Sequence, residues 1–285
     1  MISIIICSRR PSISKEFKDN IISTIGCENE LIVIDNSENK YSIFQAYNKG
    51  IKESKFGILC FIHDDILFLS NEWGNKLKNI FSQDAQIGLI GVAGTKVKTK
   101  MPSGWWNCPD EFKEINIIQH LNTGKIEKWE YGFKNTNFSR VVSIDGVFIG
   151  MKKECNFFFN ESIKGFHNYD LNISFECVQK GYKIIATKEI LIEHYSNGTI
   201  NDSWYKSAYK IHQLYKKILP LITDDIKKYN ISELEFKNGS AFLPPLINSG
   251  NLITSFKIWV ELFKLKPMKM FQFKYLKSII KVFFK

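Results

Sequence analysis

The 285-residue chain is 44% hydrophobic and 14% aromatic, which excludes a disordered polypeptide and suffices for one substantial core with a smaller appendage. Its net charge of +10 is concentrated at one end: Leu252–Lys285 holds eight lysines against Glu261 alone, leaving the rest only mildly basic. No apolar run reaches transmembrane length, and Met1–Cys7 is too short and lacks the basic leader of a signal peptide.

In chain order, Met1–Cys7 reads as a buried strand, followed by the polar turn Ser8-Arg9-Arg10-Pro11. Ser14 is placed to cap a helix reaching Ile25, with Phe17, Ile21, Ile22 and Ile25 on one face. Glu30–Ile34 is a second buried strand, ending in Asp35-Asn36-Ser37, and a helix follows over Ile43–Ser54. The third strand, Gly57–Ile62, runs into His63-Asp64-Asp65. This β-α-β-α-β order predicts an α/β fold with a parallel, doubly wound sheet whose ligand binds at the strand carboxyl ends. Adjacent carboxylates there repel unless a positive group lies between them, and a divalent cation is the simplest one. The alternative is that Asp64 or Asp65 caps a turn or helix.

Trp73–Phe81 suggests a helix and Ile87–Val92 a further strand. Residues 96–140 look less regular and read as an insertion beside the site, with Trp105, Trp106, Trp129 and Tyr131 among glycines and charges. Strand character returns at Val141–Met151, which contains Asp145-Gly146. Leu171–Lys180 looks helical, Tyr182–Ala186 extended, and the sheet closes near Ile190–His194. From Ser203 to Pro220, Trp204, Ala208, Ile211, Tyr215 and Ile218 keep helical spacing. Residues 238–251, with Pro244-Pro245, read as a linker or surface loop, and two Lys-rich apolar helices flank Pro267. The six cysteines are scattered without a Cys-x-x-Cys pair, as expected of reduced core thiols in a cytosolic protein.

Taken together, Cys7-Ser8-Arg9, Asp35-Asn36, Ala46-Tyr47-Asn48-Lys49-Gly50, His63-Asp64-Asp65, Asp145-Gly146, His167-Asn168-Tyr169-Asp170 and His194-Tyr195-Ser196-Asn197-Gly198 carry a resemblance. In this order they resemble the GT-A nucleotide-sugar glycosyltransferases, in particular the bacterial family-2-like group, over residues 1–201. The resemblance implies a GT-A (Rossmann-like), mostly parallel central sheet with flanking helices in a catalytic domain of residues 1–202. Residues 203–285 would form a helical basic extension. It also implies a metal-dependent inverting transfer from a nucleotide-sugar donor, with Asp65 ligating Mn²⁺ or Mg²⁺ and Asp64 on the ribose or sugar. His194 matches a late histidine that contacts the metal, and imidazole suits Mn²⁺ better than Mg²⁺; the other reading is a hydrogen bond to a loop. The motif departs from Asp-x-Asp at His63, whose role stays open.

Asp35 would read a uracil N–H or ribose hydroxyls, which favours a UDP-sugar, or else form a turn. Ser8, Arg9, Asn36 and Asn48 fall on the donor side by the same resemblance, although Arg9 could equally be a surface charge. Asp145 would lie near the donor sugar or the acceptor, or be a turn residue. Asp170 is the candidate general base, which must remove the acceptor hydroxyl's proton during direct displacement; the other reading is a helix cap. His167 and Tyr169 are acceptor-side candidates.

The acceptor implied is a glycan or lipid-linked hydroxyl in surface polysaccharide synthesis, on a cytoplasmic enzyme peripheral to the inner face of the membrane. The tail, with Phe256, Trp259, Phe263, Phe271, Phe273, Phe283 and Phe284 among lysines, suits an anionic membrane interface. It could equally pack on the catalytic domain or on another subunit, so an oligomer stays open. The rivals are a non-catalytic basic membrane- or polyanion-binding protein and a nucleotidyltransferase. Nothing supports nucleic acid as partner.

Overall fold

The computed structural model describes residues 1–227 and 229–283, with side chains as far as Ile280. Strand β1 (Ile2–Ser8), helix α1 (Lys15–Thr24), β2 (Asn29–Asp35), α2 (Ile43–Glu53) and β3 (Ile58–Ile62) follow the predicted order. The helices start where the sequence places a cap. Ser14 accepts from Phe17 N–H, and Ser42 closes a reciprocal capping box with Gln45. Next come β4 (Ile66–Phe68), α3 (Trp73–Gln83), β5 (Ile87–Gly91), β6 (Ala93–Thr95), β7 (Val97–Lys98), β8 (Lys113–His120) and β9 (Ile126–Tyr131). Then follow β10 (Phe138–Val141), β11 (Ser143–Ile144), β12 (Phe148–Lys152), α4 (Tyr169–Gln179), β13 (Lys183–Thr187) and β14 (Ile192–His194). The remainder is α5 (Asp202–Leu214), β15 (Leu221–Ile222), α6 (Ile231–Asn248), α7 (Leu252–Leu265) and α8 (Met270–Phe283).

The central seven-stranded sheet has the order β10-β13-β5-β12-β3-β1-β2. β1 pairs in parallel with β2 and β3, and β13 with β5, while β12 runs against β3 and β5 and β10 runs against β13. It is thus the mostly parallel α/β sheet that the resemblance implies. Its middle strands are buried on both faces, Ile2, Ile4, Ile5, Leu59, Phe61 and Ile62 having no exposed surface, which is why their sequences show no alternation.

Residues 96–140 are more ordered than the sequence suggests. They supply β8 and β9, an antiparallel hairpin, to a second sheet of order β11-β6-β8-β14-β4, with β9 on β8. Residues 238–251 are likewise no linker, because α6 runs through Pro244-Pro245 to Asn248. Of the two prolines, Pro244 is exposed and Pro245 half-buried. Phe242, Leu243, Leu246 and Ile247 meanwhile bury against Met101, Trp204, Ile258 and Leu262. Burial of that stripe outweighs the loss of two helix hydrogen bonds. Polar contacts fasten α6 as well: Glu235 accepts from Lys100 N–H at 2.7 Å and Met101 N–H at 2.8 Å, and Asn238 donates to the Asn107 carbonyl at 2.9 Å.

The helix expected to reach Pro220 ends at Leu214. The tail forms the two expected helices α7 and α8, and Trp259 stacks on Tyr275 between them with ring centroids 5.2 Å apart. Phe283's side chain and Phe284, counted above with the apolar residues of the tail, lie outside the described residues.

Candidate active site

Register assembles the site at the carboxyl end of β3. Ile6 lies beside Ile62 in the β1–β3 pair, so the residues following each strand meet. Ser8 Oγ donates to Asp64 Oδ2 at 2.9 Å, and Arg9 N–H donates to the same oxygen at 3.4 Å. On the other side β12 pairs with β3, Phe148 opposite Ile62, which lays Asp145-Gly146-Val147 across the end of β3. There His63 N–H donates to the Val147 carbonyl at 3.3 Å. The chain leaves Asp65 into β4, whose Ile66 opposes His194 of β14, and β14 in turn sets His194 beside Gln119 of β8.

The product is a cluster absent from any single stretch of sequence. His63, Asp65 and His194 each offer one ligand atom, all within 4.8 Å of one another. Asp65 Oδ1 lies 3.5 Å from His194 Nε2 and 3.7 Å from His63 Nδ1, and it is buried without a hydrogen-bond partner. A buried carboxylate oxygen with no donor is costly unless a cation completes it. Burial opposes its charge, but His194, His63 and Ser196 beside it more than offset that and hold the Asp65 carboxyl well below the usual range. Burial, and then the neighbouring His194, push the His63 ring below its ordinary range, so it stays neutral at pH 7. One carboxylate and two imidazoles fit a divalent transition cation.

Each ring has an outer partner on the side away from Asp65. Gln119 Nε2 donates to the carbonyls of His120 at 2.8 Å and Ser196 at 2.9 Å, which turns its Oε1 onto His194 Nδ1 at 2.9 Å. An amide oxygen only accepts, so the proton sits on Nδ1 and the Nε2 lone pair faces Asp65. His63 Nε2 lies 2.6 Å from Tyr169 Oη. The phenol can donate or accept there; when it accepts, the Nδ1 lone pair is left on the side of Asp65. Tyr169, expected on the acceptor side, lines the cavity and from α4 also contacts His63.

A cavity of about 690 Å³ opens over the cluster. Of the predicted residues, Arg9, Asn36, Asp64, Asp65, Asp145, His167, Tyr169, Asp170 and His194 line it, and Ser8 reaches it through Asp64. Asn36 is itself held by Tyr41, donating to its carbonyl and accepting from its N–H, both at 2.9 Å. Asp35 and Asn48 are not among the lining residues. Asp35 is exposed and accepts from Ser37 N–H at 2.9 Å and Ser37 Oγ at 2.7 Å, the turn reading of that residue. Asn48 is buried, donating to the Phe159 carbonyl at 2.8 Å and accepting from Phe159 N–H at 2.9 Å, so it braces α2 against the segment before α4.

Asp170 and Asp145 share the cavity wall. Asp145 is anchored by Trp105 Nε1–H on Oδ2 and by Val147 N–H on Oδ1, both at 2.7 Å. Burial, and next the charge of Asp145, push Asp170 up to about 7, while its Oδ1 accepts from Leu171 N–H at 2.8 Å in the first turn of α4. A carboxyl placed so can take up a proton near neutral pH. Cys7, which also lines the cavity, is pushed by burial up to about 11 and stays a protonated thiol. Sequence reasoning missed Gln119 altogether and left Trp105, Trp106, Trp129 and Tyr131 without individual roles; all five line the cavity.

No curated protein matches the chain. Among solved structures it is similar to A197 from STIV, at 11% identity and TM-score 0.41 over 69% of this chain and 86% of that one. It is also similar to GalNAc-T7 with UDP, GalNAc and Mn²⁺, at 10% identity and TM-score 0.49 over 75% of this chain and 49% of that one. Neither likeness is close enough to rest an argument on. The model of the glycosyltransferase-like family matches residues 3–217, most of the chain and every residue that lines the cavity. The chain therefore belongs to the glycosyltransferase-like family and is a glycosyltransferase.

Proposed function

We propose that this enzyme transfers a sugar from a nucleoside-diphosphate donor, a UDP-sugar being the best fit, to a hydroxyl of a glycan or lipid-linked acceptor with inversion at the anomeric carbon. Its setting would be cytoplasmic synthesis of a surface polysaccharide. The observation that carries this reading is the pairing, in one cavity, of a cation-type cluster at the end of β3 with a carboxyl near neutral pKa at the start of α4. Family membership sets aside a purely binding protein and a nucleotidyltransferase.

His63, Asp65 and His194 would hold Mn²⁺ or Mg²⁺, the nitrogen ligands favouring Mn²⁺. When bound, such a cation supplies Lewis-acid neutralisation of the charge developing on the leaving diphosphate. Asp64, fixed by Ser8 and by Arg9 N–H, presents its free oxygen to donor hydroxyls. Arg9, on the cavity wall, adds positive charge for the diphosphate. Asp170 takes the proton of the attacking acceptor hydroxyl, and the anchored carboxylate of Asp145 keeps it basic enough to do so. One base on the acceptor side suffices for direct displacement, which inverts configuration. The indoles of Trp105, Trp106 and Trp129 give the cavity flat apolar walls against which sugar rings can lie.

The test is a panel of nucleotide sugars with Mn²⁺, read by nucleotide release and by NMR of the first-formed anomer. Turnover of one donor with inverted configuration is expected. Retained configuration, or no release from any donor, overturns the proposal.

A further inference from the structure

Helices α7 and α8 each bury one face and leave an apolar stripe on the other. On α7 the buried stripe is Ser255, Ile258 and Leu262, facing α6. The other side bears Ile253, Phe256 and Phe263, with Ile253 75% and Phe256 54% exposed. On α8, Gln272 and Tyr275 are buried, whereas Phe273, Leu276 and Ile280 recur at i, i+3 and i+7 toward solvent, Phe273 at 67%. Met268, in the turn between the helices, is 92% exposed. Nine of the eighteen exposed large apolar side chains among the described residues fall within Ile253–Ile280. Scattered exposed apolar residues need no explanation; two helical stripes so close in the chain do.

Charge says what covers them. Lys257, Lys264, Lys274 and Lys277 flank the stripes and have no acidic partner among the described residues. The tail's one acid, Glu261, is taken up by Lys216. In a symmetric pair of copies this surface would set lysine against lysine, which opposes association. An anionic lipid surface matches both features at once, because amphipathic lysine-flanked helices sink their apolar side chains to the headgroup–acyl boundary. Among the described residues no helix is long and apolar enough to cross a membrane, so these helices would lie in the interface.

We propose that α7 and α8 seat the enzyme on an anionic lipid bilayer through the stripes Ile253/Phe256/Phe263 and Phe273/Leu276/Ile280, with the flanking lysines over lipid phosphates. The docking does not depend on which donor is used. Trp204, which lines the cavity, packs against Phe242 of α6 with ring centroids 6.1 Å apart. The bundle that meets the lipid therefore also backs the cavity.

The experiment is flotation of the full chain with phosphatidylcholine vesicles containing or lacking phosphatidylglycerol, beside sedimentation of the free protein. Binding only to the anionic vesicles, weakened by salt, is expected. The double variants Phe256→Ser/Phe273→Ser and Lys264→Glu/Lys274→Glu, all on the solvent side, should each lower vesicle partition at least about tenfold while leaving the melting curve unchanged. Four outcomes overturn the proposal: no vesicle binding, equal binding to neutral vesicles, a Phe256→Ser/Phe273→Ser variant that binds like wild type, or a dimer that the same variants dissolve.

Discussion

Gln119 lies behind His194 rather than among the candidate cation ligands, yet it should carry a measurable share of cation affinity because it orients that ring. In Gln119→Leu the acceptor for His194 Nδ1–H disappears, so the ring is free to place its proton on Nε2, the atom that faces Asp65. Losing such an outer partner costs about 10- to 100-fold in metal affinity, or roughly 1.4–2.7 kcal/mol. The same substitution removes the donations to the His120 and Ser196 carbonyls, at about 1 kcal/mol each, so the melting temperature should fall too. A companion variant separates the two effects. Gln119→Glu keeps an oxygen for His194 Nδ1–H but turns another onto the two carbonyls, so it should recover Mn²⁺ affinity while remaining less stable. The assay is Mn²⁺ titration by electron paramagnetic resonance, held well below both melting curves. Wild-type Mn²⁺ binding by Gln119→Leu, or equal loss of affinity in the two variants, would refute this role for Gln119.

Asp170→Asn should leave Mn²⁺ and donor binding intact while transfer falls about 10²- to 10⁴-fold. In the wild type, transfer should rise with pH through about 7 as Asp170 ionises. Stability should move the other way. The folded carboxyl holds a proton that the unfolded chain has already released, so stability declines from the ordinary carboxylate range up through about pH 7, and Asp170→Asn should flatten that slope in thermal melts. At Gly146 an added Cβ would lie 2.2 Å from Tyr169 Oη, and Tyr169 is boxed in by Tyr47 and Phe159. Gly146→Ala should therefore push Tyr169 off His63 and weaken Mn²⁺ binding about tenfold, as read by the same titration. Leu262, with no exposed surface, sits against Gly239 at the α6–α7 contact; Leu262→Ala should cost about 2–5 kcal/mol by denaturant unfolding.

The first half of the central sheet is readable from local signals because apolar runs, Ser14 and Ser42 mark each boundary. The second sheet is harder to read, since β8 and β9 are partly polar, yet Asn122-Thr123-Gly124 between two runs containing Ile115, Ile117 and Trp129 was a usable hairpin signal. Composition misled at Pro244-Pro245, where a tertiary stripe outweighs two prolines. At the site, residue types were legible but directions were not. Asp35 and Asn48 carry suitable chemistry but do not line the cavity, Asp35 accepting from Ser37 and Asn48 pairing with Phe159. His63, the departure from the acidic pattern, joins Asp65 two residues on. Only the pairing of β4 with β14 and β14 with β8 brings His194 and Gln119 to them, and pairing between distant strands leaves no mark in either stretch alone.

As proposed above, His63, Asp65 and His194 would hold the cation through which this glycosyltransferase engages its donor. Calorimetric titration of UDP and UDP-sugars into the full chain, with Mn²⁺ or with EDTA, tests it most directly. Binding is expected with Mn²⁺, with loss in EDTA and loss in Asp65→Asn and His194→Ala with the fold intact. Donor binding that is equally tight in EDTA, or unchanged in Asp65→Asn, would contradict it.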